Sequence, residues 1–135
     1  MMNSVVYNTS SGSVTPKSGS FMSATNNVSA SLSQTVYIPA NARYLRFSYR
    51  IVGSRSCDTG SSTDYIWVFT NSGISEWYLD VCSSAGWVTD TLDMTLDAGT
   101  TTEIIFEVVT NEHGGTVYFD NIGFVSAPTR EVDYY

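Results

Sequence analysis

Residues 44–51 read YLRFSYRI, with Leu45, Phe47, Tyr49 and Ile51 on one parity and Tyr44, Arg46, Ser48 and Arg50 on the other. Successive side chains of a strand point to opposite faces, so the first set predicts a core face and the second an outer face. The same period recurs in SASLSQTVYI (29–38), DYIWVFT (64–70), SEWYLDV (75–81), TDTLDMTL (89–96), EIIFEVVT (103–110) and TVYFDNIGFV (116–125), with Gly, Ser, Asn and Asp clusters between them. No apolar pattern of helical period persists. The chain is therefore expected to be all-β, with seven or eight strands in two antiparallel sheets packed face to face as a sandwich or jelly roll.

The last stretch breaks its own alternation. Val117 and Phe119 keep one parity, Ile122 and Phe124 the other, and Asp120 and Asn121 stand at the change. A β-bulge, in which two residues face one on the partner strand, accounts for the slip and turns the Asp120 carboxylate toward the sheet rim instead of the core. The other reading has Asp120 and Asn121 capping a bent strand by hydrogen-bonding nearby amides.

A chain of 135 residues suits one domain. Residues 14–126 are expected to form it, with an N-terminal segment or edge strand over 1–13 and a tail or edge addition over 127–135. Thirteen acids against six Lys and Arg give a net charge of −7, the wrong balance for a nucleic-acid binder. Nine Tyr, six Phe and three Trp on so acidic a chain suit a polyhydroxylated ligand better than an anionic one. No apolar run is long enough to span a bilayer. The opening MMNS reads as the start of a domain cut from a longer chain, so any export signal is expected upstream.

Cys57 and Cys82 both sit in polar, turn-like sequence (GSRSCDTGSS and LDVCSSAGW), a poor setting for buried thiols and a good one for a loop-closing disulfide. Two unrelated thiols are the alternative. A zinc site would need more ligands than two Cys and one His.

These pieces occur in one order: a KSGS turn, ARYLRFSYRI, a cysteine, STDYIWVFT, a second cysteine, GWVTDTLDM, TEIIFEVVT and VYFDNIGF. In that order the chain resembles the secreted jelly-roll domains of the MAM-like and carbohydrate-binding-module type. The resemblance implies an extracellular or cell-surface β-sandwich, often appended to an enzyme or surface protein. It also implies a structural calcium held by carbonyls near the SG turn and by the acid of the final strand, here Ser18 and Asp120.

Parity and the family pattern place Ile66 and Val68 inside, so Tyr65, Trp67 and Phe69 stand in a row on an outer face. A pyranose ring stacks on such aromatics while flanking polar groups bond its hydroxyls. Tyr44, Arg46 and Arg50 are expected beside them if the two strands share a sheet, and Tyr78 is the ligand candidate of SEWYLDV. Trp87 is expected in the core and Trp77 inward with Leu79 and Val81. No nucleophile elbow, zinc pair or phosphate loop appears, and His113 lies in a turn, so no catalytic residue is nominated. The expected function is a non-catalytic carbohydrate-binding accessory module with a polysaccharide or glycan as partner. The alternative is a structural or adhesive domain that self-associates through the same aromatics.

Overall fold

The computed structural model of the chain describes residues 22–24, 29–58, 63–109, 115–128 and 130–134. Its strands are β1 (Met22–Ala24), β2 (Ser29–Tyr37), β3 (Tyr44–Val52), β4 (Tyr65–Thr70), β5 (Glu76–Asp80), β6 (Gly86–Asp93), β7 (Thr101–Val109), β8 (Thr116–Val125) and β9 (Glu131–Tyr134). One turn of 3-10 helix covers Thr95–Asp97. Two sheets form, in the orders β1-β8-β3-β6-β9 and β2-β7-β4-β5. Every pairing is antiparallel. Hydrogen-bonded neighbours include β1·β8, β2·β7, β3·β6 and β4·β5.

The alternation read at residues 44–51 holds. Leu45, Phe47, Tyr49 and Ile51 are buried in the core with Ile66 and Val68 of β4, Ile104, Phe106 and Val108 of β7, and Val117 and Phe119 of β8. Phe106 anchors the centre, edge-on to Phe47 (ring centroids 5.8 Å apart) and to Phe119 (5.1 Å). Trp77 points inward as expected and packs edge-on against Phe47 at 4.8 Å.

The parity break in β8 is a bulge. The β3·β8 register shifts between Arg46, opposite Gly123, and Ser48, opposite Asp120. Asn121 takes the extra position at φ 57°, a left-handed conformation that Asn tolerates better than most residues. Val117, Phe119 and Ile122 thereby all reach the core. Arg46 clasps the bulge, donating from Nε to the Asn121 carbonyl (3.3 Å) and from Nη2 to Asn121 Oδ1 (3.2 Å).

Trp87 is fully buried, as expected, on the parity opposite to Val88 and Leu92 and so on the outer side of the five-stranded sheet. Ser48, Thr89, Tyr118 and Asp120 share that outer side of the five-stranded sheet and are buried too. The Ser48 and Thr89 hydroxyls hydrogen-bond there at 2.7 Å.

The expected disulfide joins Cys57 to Cys82, with Cα atoms 5.0 Å apart. In the 127–135 segment, β9 pairs with β6 and so forms an edge addition. Among the described residues no helix is long and apolar enough to cross a membrane.

A polar knot with no counterpart in the sequence reading ties the β4–β5 turn to the 3-10 helix. The buried Asp97 carboxylate accepts hydrogen bonds from Ser75 Oγ (2.7 Å), Ser72 Oγ (2.9 Å) and Thr70 Oγ1 (3.0 Å). Removing the acceptor strands buried hydroxyls, so Asp97→Ala is expected to destabilise the domain by about 2 kcal/mol. Asp97→Asn, which keeps an acceptor oxygen, is expected to cost less, with both variants measured by urea titration.

Candidate functional site

The four-stranded sheet has one face on the core and one outside. On β4 the burial alternates strictly, with Ile66, Val68 and Thr70 buried and Tyr65, Trp67 and Phe69 half-exposed on the outer face. Tyr78 of the neighbouring β5 is cross-strand partner to Trp67 and exposes 52 % of its surface. The expected row is thus present, and Tyr78 joins it.

Its rings are not all free. Trp67 and Phe69 stack on each other with centroids 3.9 Å apart, and Tyr65 stacks diagonally on Tyr78 at 5.4 Å. Each pair hides one face of each ring. The Trp67 indole Nε1 is buried with no hydrogen-bond partner, an arrangement that costs free energy unless a partner arrives from outside.

Strand register sets carboxylates among these rings. Trp67 faces Glu107 on β7, Tyr65 faces Asp80 on β5 and Phe69 faces Glu76 on β5. The Tyr65 hydroxyl donates a short hydrogen bond to Glu107 Oε1. That bond, which only the protonated phenol can make, pushes the Tyr65 pKa up to about 12. Both groups are thereby held in one orientation, leaving the second Glu107 oxygen as an acceptor.

Three expected ligand residues are elsewhere. Tyr44, Arg46 and Arg50 lie on β3, which belongs to the five-stranded sheet, so they face out on the opposite side of the sandwich from Tyr65. The consecutive strands β3 and β4 fall in different sheets, which separates them. Arg46 holds the bulge, a structural role.

Asp120 departs from expectation in being fully buried; it lies on β8, one strand in from β1, on the side of the sheet away from the core. Its Oδ1 accepts the Asn121 backbone N–H at 2.8 Å, which fits the capping alternative. Ser18 and His113 lie outside the described residues. No group of three His, Cys, Asp or Glu that could hold a metal occurs among the described residues.

A separate recess of about 380 Å³ opens between the layers beside the disulfide, lined by Tyr49, Ile51, Leu79, Val88 and Arg130. Arg130 is already bound to Asp90 (Nη1 to Oδ2, 2.7 Å), which also accepts the Trp77 indole N–H at 3.2 Å. Burial raises the Tyr49 pKa, with the Arg130 cation opposing it. The polar groups at this recess satisfy one another, whereas the outer face of the four-stranded sheet presents rings and carboxylates to solvent. Compared with protein-family models and with curated proteins, the chain has no significant match.

Proposed function

We propose that the chain is a non-catalytic carbohydrate-binding module of an extracellular or cell-surface protein, and that it holds glycan against the outer face of the four-stranded sheet. The observation that carries this reading is the juxtaposition of Tyr65, Trp67, Phe69 and Tyr78 with carboxylates in cross-strand register. Rings supply stacking for the C–H faces of sugars, and carboxylates accept hydrogen bonds from their hydroxyls. With the arginines on the other sheet, Glu76, Asp80 and Glu107 take the polar part expected of Arg46 and Arg50. The disulfide supports placement outside the reducing cytosol.

Affinity electrophoresis through gels loaded with neutral, cationic and anionic polysaccharides tests the proposal. The wild type is expected to be retarded by at least one of them. Tyr78→Ala, which truncates the most exposed ring of the four, is expected to weaken retention about ten-fold and leave the melting temperature nearly unchanged. A protein that ignores every polysaccharide but sediments as an oligomer, and becomes monomeric on Tyr78→Ala, is an adhesive domain instead. Thermal melts with and without chelator test calcium: a metal bound only by the folded state adds stability, so chelation lowers the melting temperature if calcium is resident.

A further inference from the structure

Resting on that reading, we propose that the glycan is cationic, a polymer of amino sugars whose amines are free and protonated. The strands of the four-stranded sheet carry four carboxylates, Glu76, Asp80, Glu103 and Glu107, and no Lys, Arg or His. The outward parity of β7 places Glu103 and Glu107 on the side of the aromatic rings, and β5 contributes Glu76 and Asp80 from the other edge. Running across the face, Glu107, Trp67 and Tyr78 form one row, and Ile105, Phe69 and Glu76 form the next.

Charge complementarity selects among glycans on such a face. A protonated amine is attracted by a carboxylate and by the negative face of an aromatic ring, so the two components of the site act on it with one sign. A uronic-acid polymer meets like charges across the whole sheet and is repelled. A neutral polymer gains stacking and hydroxyl bonds but nothing from the uncompensated charge. The chain's net charge of −7 extends the same preference to the encounter step. A basic peptide would feel this charge as well. The stacked pairs Trp67–Phe69 and Tyr65–Tyr78 set apolar ring surface among the carboxylates, which suits the C–H faces of a sugar better than a flexible basic side chain.

Three soluble polymers distinguish the possibilities: a β-1,4-linked glucosamine polymer, its N-acetylated counterpart and a polyuronate. Binding to the intact chain is measured by calorimetry in mildly acidic, low-salt buffer. The amine polymer is expected to bind at least about ten-fold tighter than the acetylated one, with the gap largely closed by about 0.5 M salt. Glu76→Gln combined with Asp80→Asn is expected to remove most of the gap while leaving weak binding of the acetylated polymer in place. Equal affinity for the amine and acetylated polymers, or a preference for the uronate, overturns the inference and leaves the carbohydrate reading standing. Binding of polylysine as tightly as the amine polymer overturns it in favour of a basic peptide. No binding of any sugar polymer overturns both this inference and the function on which it rests.

Discussion

Phe47→Ala is expected to lower the stability of the domain by about 3–5 kcal/mol, against about 1–2 kcal/mol for Trp67→Ala, although Trp67 is the larger ring. Phe47 is fully buried and is packed by Trp77, Phe106 and Tyr49 from three sides, so truncation leaves a cavity between the layers that neither sheet can close. Trp67 loses one stack, on Phe69, and some half-buried surface. It also removes an indole N–H that has no partner, which offsets part of the loss. For a domain with about 5–15 kcal/mol of total stability, the first change brings it near unfolding at growth temperature and the second does not. Thermal melts of both variants decide the matter. Equal losses would mean that Trp67 belongs to the core and that the outer face has been assigned to the wrong parity.

That face was legible in the sequence because alternation reports sidedness directly. In β4, alternation separates Ile66 and Val68 from Tyr65, Trp67 and Phe69, and the family pattern chose the first set as the inner one; the bulge at Asp120 and Asn121 was legible because two apolar pairs on opposite parities need an extra residue between them. Alternation says nothing of which strands are neighbours. β3 and β4 are consecutive in the chain yet fall in different sheets, so Arg46 and Arg50 went to the far side from Trp67 while Glu107, from a strand much later in the sequence, came beside it.

One further feature has a cause that no single strand reveals. The Asp97 knot draws on Thr70, Ser72 and Ser75, which are 22 to 27 residues away in sequence, and isolated Ser and Thr in a chain so rich in them carry no signal of convergence.

Loss of the Cys57–Cys82 disulfide is expected to lower stability by about 3–4 kcal/mol in the chain-entropy treatment, because the bridge closes a loop of 25 residues that contains β4 and β5, the strands bearing the four rings. The native geometry around it does not depend on the bridge alone. The Ser83 amide donates to the Arg55 carbonyl (2.8 Å), the Ser54 amide to Ser83 Oγ (3.0 Å), and the Ser84 amide to the Ile51 carbonyl (3.0 Å). These bonds keep the segments around the two cysteines together after reduction, so Cys57→Ser with Cys82→Ser is expected to fold at 25 °C and to melt about 10 °C or more below the oxidised protein. The intact mass of the wild type should fall two hydrogens short of the reduced form. The consequence reaches the proposed location: a domain that draws this share of a marginal stability from one crosslink is suited to an oxidising compartment. Melting temperatures that agree within about 2 °C with and without reductant would show that the hydrogen bonds suffice, and would remove the disulfide as support for a place outside the cell.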